Sequence, residues 1–252
     1  MNVLDKLYRR SEGVFIGVWI AVYVILASYA GELSRAIGVE MSVTALVLAP
    51  LCLLLWLWMG HAGMRERYGL RTPLVPAARM LFYLPAVVIA AKKLLFGIVP
   101  IGSAVDCAAW VVGMAGVSLM EELLFRGLLF QGLLEEGRTK AIVISSLTFG
   151  MGHIVNLVNG NSHDLVETLC QIAFAVSVGF MLVMMLLKSG SIWPCVIFHV
   201  ANNGLSAFAN EAAELTFFGS QTMAMLGTVG VSLAIATLYI LYLRRLPDAV
   251  ER

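Results

Sequence analysis

The stretch LCQIAFAVSVGFMLVMMLL, residues 169–187, decides the fold class, because none of its side chains is charged. An α-helix of about 20 apolar residues is long enough to cross the hydrocarbon core of a bilayer. Of the 252 residues in the chain, 60% are hydrophobic and only 13% are charged, whereas a soluble domain carries about a quarter charged residues. The sequence therefore predicts an all-α membrane protein.

Further apolar runs set the predicted number of spans. Five of these runs are uninterrupted and cover residues 13–30, 41–64, 141–158, 191–210 and 222–243. Residues 77–134 contain several charged side chains, and we interpret them as two spans, 77–96 and 104–134, separated by a turn with Pro100 and Gly102. The pattern predicts a polytopic bundle of about eight transmembrane helices, forming a single integral membrane domain over residues 1–252.

The distribution of Lys and Arg predicts the orientation of these spans. With the N-terminus inside, Arg126 falls within a span and Arg35, Lys92 and Lys93 fall in outer segments, which leaves thirteen of the 17 cations in inner segments. The positive-inside rule then places both termini in the cytoplasm. A cleaved signal peptide at residues 1–30 is the alternative, but its apolar core of about 18 residues exceeds the usual 7–15.

Charge and cysteine content exclude two classes of protein. A net charge of +1 provides no basic surface for nucleic acid. The four cysteines, at positions 52, 107, 170 and 195, have no CxxC spacing. We therefore expect neither a nucleic-acid partner nor a disulfide framework or zinc module.

One predicted span carries three ionisable side chains, in the sequence MEELLFRG at residues 120–127. A charge at the bilayer centre costs at least ~2.5–3.5 kcal/mol, so such residues are few and are usually paired or functional. Glu122 and Arg126 are four residues apart and are predicted to form an ion pair on one helix face. Glu121 lies about 100° further around the helix and is therefore the carboxylate left outside that pair.

Two other spans carry polar residues at a similar depth. In FGMGH, residues 149–153, two glycines allow a neighbouring backbone or a ligand to approach the turn before His153. In HVANN, His199 and Asn203 share a helix face. With Glu121, these residues lie roughly 12–20 Å from the cytoplasmic ends of their helices. Each residue alone fits a structural role, but together they could activate a water and hold an oxyanion.

The three motifs are Glu-Glu-x-x-x-Arg, Phe-x-x-x-His and His-x-x-x-Asn, each on its own predicted span and in this order. Together they resemble the CAAX protease and bacteriocin-processing family, also called the ABI family, which includes the type II CAAX prenyl endopeptidases. The resemblance covers about residues 117–203. It implies an intramembrane glutamate endopeptidase that uses no cofactor or metal, with a catalytic core at about residues 104–210.

The resemblance also implies a role for each matching residue. Glu121 corresponds to the catalytic glutamate, which activates the attacking water together with His153. His199 and Asn203 correspond to the pair that stabilises the oxyanion.

Three further positions complete the motifs and are expected to support the site structurally: Glu122, Arg126 and Phe149. The expected substrate is a membrane-associated peptide or protein reached within the lipid bilayer. Because the loops are short, the chain is more similar to the prokaryotic branch of the family. The expected location is therefore a prokaryotic cell (inner) membrane, and a prenylated substrate is not the first expectation.

Three alternatives remain open on the sequence. A zinc protease could use His153, His199 and Glu121 as a His₂Glu site, although the chain has no His-Glu-x-x-His. A transporter could use the same residues as a proton relay, but it would more often show repeated halves. A non-catalytic scaffold or bacteriocin-immunity-type protein of the same family would need none of this chemistry.

Overall fold

The computed structural model describes residues 3–155 and 165–250. These residues form ten α-helices and no β-strand. The helices, numbered in chain order, are α1 Val3–Arg10, α2 Glu12–Ile37, α3 Ser42–His61, α4 Leu84–Ala91, α5 Ala104–Leu134, α6 Arg138–Met151, α7 Leu165–Ser189, α8 Trp193–Gly204, α9 Glu211–Phe218 and α10 Gln221–Leu243. Helices α2, α3, α5, α7 and α10 are long and apolar enough to cross a membrane. The all-α class is confirmed.

Short polar segments determine where the long helices begin and end. The Ser11 hydroxyl accepts a hydrogen bond from the Val14 N–H at the start of α2, and Gly38 ends that helix with a positive φ of 81°. At the start of α5, Ser103 and Asp106 form a reciprocal capping box. The long apolar helices thus have sequence-encoded ends.

The span predicted at residues 77–96 is wrong as a single helix. Two 3₁₀ turns, Ala77–Tyr83 and Lys92–Phe96, flank the short helix α4. Residues 81–83 have positive φ angles between 51° and 56° and break the path of the chain. Pro85 explains the break, because a proline inside a helix lacks the N–H donor and its ring clashes with the carbonyl four residues earlier.

Two other predicted spans contain helices shorter than expected. Within 141–158, α6 ends at Met151 and a 3₁₀ turn, Gly152–Ile154, follows it, while residues 156–158 lie outside the described part of the chain. Within 191–210, α8 is 12 residues long and continues as the 3₁₀ turn Leu205–Phe208. The number of eight spans therefore stays a prediction.

The helices approach one another most closely at glycines. A Cβ atom on Gly150 of α6 would lie 2.7 Å from the Val176 backbone nitrogen of α7. A Cβ on Gly179 of α7 would lie 3.0 Å from the Ser146 carbonyl oxygen of α6. Small residues at such crossings allow two membrane helices to pack backbone against backbone.

Apolar residues also cover the outside of the bundle. Helix α3 buries Leu48 and Leu55 completely, yet leaves Leu46 75% exposed and Leu57 56% exposed. A helix that is apolar on all sides suits a position between a protein core and lipid.

Ion pairs join several chain segments at one end of the bundle. Arg67, which follows α3, lies 3.1 Å from Glu135 at the end of α5. Asp248, which follows α10, lies 2.7 Å from Lys188 of α7 and 2.6 Å from Arg138 of α6. These contacts place the segments after α3, α5, α7 and α10 on the same side.

Candidate active site

The Glu-Glu-x-x-x-Arg motif of the candidate site lies where α5 changes its winding. Residues Leu123–Leu129 form a π-helical turn inside the helix, directly after the two glutamates. The wider turn is stabilised from α6, where the Ser145 hydroxyl donates to the Phe125 carbonyl at 2.8 Å. π-Turns of this kind occur frequently at functional sites. The sequence pattern gave no sign of it.

Glu122 is the buried centre of the polar contacts. Its Oε1 atom accepts a hydrogen bond from Arg126 Nη1 at 3.0 Å, and both side chains are fully buried. The ion pair predicted from the four-residue spacing is therefore confirmed. The same oxygen lies 2.8 Å from Nδ1 of His199, so it also fixes the imidazole ring of α8. This second contact was missed by the sequence analysis.

Glu121 contacts a different set of groups. Its Oε1 accepts a hydrogen bond from the Tyr23 hydroxyl of α2 at 2.5 Å, and its Oε2 lies 3.4 Å from His199 Nε2. The side chain keeps 14% of its surface exposed, whereas Glu122 has none. The two adjacent carboxylates thus occupy distinct environments.

Tyr23 is a site residue that the sequence analysis did not find. It lies in an apolar run, and the contact joins residues 98 positions apart. A buried tyrosine hydroxyl usually requires a hydrogen-bond partner, so its position within a predicted span was the available signal.

Glu121 and His153 line one cavity of about 190 Å³. His153 lies on the 3₁₀ turn after α6 and is half-buried. The cavity is also lined by Tyr23, Arg35 and Phe149. A space of this size can hold several water molecules. A carboxylate and an imidazole therefore line the same space between the helices.

Phe149 is the aromatic centre that joins the motifs. Its ring lies 3.9 Å from Arg126 Cζ, and its centroid is 5.5 Å from the His199 ring and 6.0 Å from the His153 ring. The guanidinium atoms Nε and Nη2 of Arg126 have no hydrogen-bond partner among the described residues, so the ring face supplies a cation–π contact there.

Asn203 lies one turn beyond His199 but is not among the residues that line the cavity. Its Nδ2 donates to the hydroxyl of the buried Ser118 in α5 at 3.2 Å. A carboxamide nitrogen carries two hydrogens, so this contact occupies one of them. The structure thus places His199 against both glutamates and Asn203 against α5.

The zinc alternative requires a set of ligands around one point. Among residues 3–155 and 165–250, no group of three or more His, Cys, Asp or Glu side chains is arranged to hold a metal ion. The arrangement of Glu121, His153 and His199 therefore does not fit a His₂Glu site.

A comparison with known families gives one match. The family model described as Type II CAAX prenyl endopeptidase Rce1-like matches residues 103–205. This part of the chain is similar to the CAAX protease family. The match runs from the N-cap of α5 to the end of α8 and includes every residue of the three motifs, whereas Tyr23 lies outside it. No curated protein and no solved structure gives a significant match.

The match over residues 103–205 confirms the resemblance seen in the motifs, and the matched family is a protease family. The five long apolar helices agree with an integral membrane protein.

Proposed function

We propose that this protein is an intramembrane endopeptidase of the CAAX protease family. It hydrolyses a peptide bond of a membrane-associated peptide or protein with a water activated by Glu121 and His153. The observation that carries the proposal is the shared cavity, which brings a carboxylate and an imidazole to one space large enough for water and a peptide group.

The reaction follows from the two oxygens of Glu121. Oε1 is held by Tyr23, which leaves Oε2 to accept a proton from a water in the cavity. The water oxygen bonds to the substrate carbonyl carbon, and the carbonyl oxygen becomes an oxyanion. When the C–N bond breaks, the proton held by Glu121 passes to the leaving nitrogen, which completes the hydrolysis.

The oxyanion is stabilised by His199 and Asn203 in this proposal. With His199 protonated on both ring nitrogens, Nδ1–H donates to Glu122 Oε1, and Nε2–H, which is directed at the region of Glu121, can donate to the oxyanion. Asn203 retains one N–H beyond its contact with Ser118. Two positioned donors are what such an intermediate requires.

The membrane setting of the proposal is an eight-crossing bundle with both termini in the cytoplasm of a prokaryotic cell. The extra crossings are supported by the segments that contain the short helices α4 and α8. These two helices pack against each other inside the bundle. At one end Leu74 N–H donates to the Ser189 carbonyl, and at the other Val99 N–H donates to the Phe208 carbonyl. Helix α8 with its 3₁₀ turn is about 26 Å long, close to the hydrocarbon thickness of about 30 Å.

The test is incubation of the purified protein with a panel of membrane-anchored peptides, followed by mass spectrometry of new termini. We expect a defined new terminus with the wild type and none with Glu121→Gln. Cleavage that persists in Glu121→Gln, or no cleavage of any peptide, contradicts the proposal. A parallel reaction with a chelator tests the zinc alternative, which requires loss of activity and its return on addition of zinc.

A further inference from the structure

Tyr23 brings a helix outside the matched region into the candidate site. The residue lies on α2, whereas the family match covers residues 103–205. Its side chain is 93% buried, with 7% of its surface exposed, and it lines the same cavity as Glu121 and His153. Glu121 and His153, which belong to the matched region, therefore have a neighbour, Tyr23, that lies outside that region.

The hydroxyl of Tyr23 is suited to hold one oxygen of a carboxylate. A phenol O–H that donates to a carboxylate forms a short, strong hydrogen bond, and the O···O distance to Glu121 Oε1 is 2.5 Å. A Glu side chain that is fixed at one oxygen loses rotational freedom about its last bond. Its other oxygen, Oε2, then stays on the side of His199.

The other groups around Glu121 do not provide this restraint. Arg126 is bonded to Glu122, and His199 Nδ1 is bonded to Glu122 as well. The remaining contact, from His199 Nε2, is 3.4 Å long and therefore weak. Among the described residues, Tyr23 donates the strongest hydrogen bond to Glu121.

We propose that Tyr23 is a positioning residue for the catalytic carboxylate. It orients Glu121 so that Oε2 meets the attacking water, and it stabilises the ionised carboxylate that accepts the proton. This inference rests on the proposed function. It implies that the active site is complete only when α2 is packed against α5.

The experiment compares Tyr23→Phe with a matched control, Tyr239→Phe. Tyr239 is also buried and its hydroxyl also makes one hydrogen bond, at 2.8 Å to the Met80 carbonyl, but it does not line the cavity. Both substitutions remove one buried hydroxyl and keep the ring. They should therefore lower the melting temperature by similar small amounts.

The kinetic constants for the peptide cleaved by the wild type distinguish positioning from structure. Tyr23→Phe should lower kcat on the order of 10- to 100-fold, which is the effect of one hydrogen bond to a charged group, with KM little changed. Tyr239→Phe should leave both constants unchanged. If Tyr23→Phe does not fold, Tyr23→Met, which also lacks the hydroxyl, should give the same loss of kcat.

The outcomes separate the two proposals. A wild type that cleaves while Tyr23→Phe retains full kcat overturns the role of Tyr23 and leaves the proposed function intact. Equal losses of kcat in Tyr23→Phe and Tyr239→Phe also overturn it, because they indicate a general loss of stability. A wild type that cleaves no peptide overturns the proposed function and this inference with it.

Discussion

The two adjacent glutamates of α5 differ in burial and in access to the cavity. Glu122 is fully buried and bonded to Arg126 and His199, so it has no direct access to the cavity. Glu121 is partly exposed and lines the cavity. Residues one position apart on a helix point about 100° away from each other, which is why their environments differ so much.

Substitution of each glutamate by glutamine should therefore give opposite results. Glu121→Gln keeps the shape but removes the proposed base, so activity should fall by at least the ~10²–10⁴ of general-base catalysis, with stability nearly unchanged. Glu122→Gln leaves Arg126 as an unpaired buried cation, a defect on the order of 3–5 kcal/mol, and should mainly lower yield and melting temperature. Activity per folded molecule and thermal unfolding check both expectations. A stable but inactive Glu122→Gln beside an active Glu121→Gln would reverse the assignment.

Asn203 and Ser118 form a hydrogen-bonded pair, and we expect the two residues to have different roles. Asn203→Ala removes a proposed oxyanion donor, so kcat should fall about 10²- to 10³-fold in a protein that still folds and binds substrate. Ser118→Ala removes only the group that holds the amide, so its loss of kcat should be smaller than that of Asn203→Ala. Steady-state kinetics on both variants show which substitution causes the larger loss of kcat. Full activity in Asn203→Ala would remove that residue from the site.

At the residue scale, the sequence predicts contacts within one helix better than contacts between helices. The Glu122–Arg126 pair follows from a four-residue spacing, because that spacing is fixed by helix geometry. The contact of Tyr23 with Glu121 depends on how α2 packs against α5. No spacing within the sequence encodes that packing.

At the element scale, the two glycines before His153 have different functions. A Cβ on Gly150 would lie 2.3 Å from a side-chain carbon and 2.7 Å from the backbone nitrogen of Val176. A Cβ on Gly152 would meet no atom within 4 Å. Gly150 therefore allows α6 to approach α7, whereas Gly152 faces the cavity, which it helps to line.

The pair Gly150→Ala and Gly152→Ala tests this difference. Gly150→Ala should force the helices apart and destabilise the protein by about 1–3 kcal/mol, the usual cost of overpacking, and should displace His153. Gly152→Ala should leave the melting temperature unchanged or slightly raised, because its φ of −54° is open to any residue. Thermal unfolding of both variants is the measurement. Equal stability of the two variants would contradict the close approach of α6 and α7.

The helices that were predicted well are α5, capped by Ser103, and α10, capped by Ser220, whose bounds lie within one residue of the predicted ones. Prediction failed at residues 77–96, where hydropathy is high but Pro85 prevents a continuous helix. Which face of each helix is buried could not be predicted either. Both faces of α3 are apolar, because one contacts the core and the other is suited to lipid.

At the scale of the whole molecule, the ion pairs bear on the number of crossings. If only the five long helices crossed, the segments after α3 and α5 would lie on opposite sides of the membrane. Arg67 and Glu135, which belong to these two segments, are 3.1 Å apart. Arg138 and Lys188 share Asp248, which likewise requires the segments after α5, α7 and α10 to meet. These contacts favour additional crossings by the shorter helical segments.

Accessibility of single cysteines tests this topology. Reporters replace three exposed residues, Thr72, Thr139 and Gln221, in a background where Cys107 and Cys170 are changed to serine. With eight crossings, a membrane-impermeant reagent added to intact cells should label position 221 and should spare positions 72 and 139. With five crossings, position 139 would be labelled instead of 221, while position 72 would stay protected and serve as the internal control. The thirteen inner cations and the shared Asp248 both favour the first pattern, because charges that pair across segments must lie on one side of the bilayer.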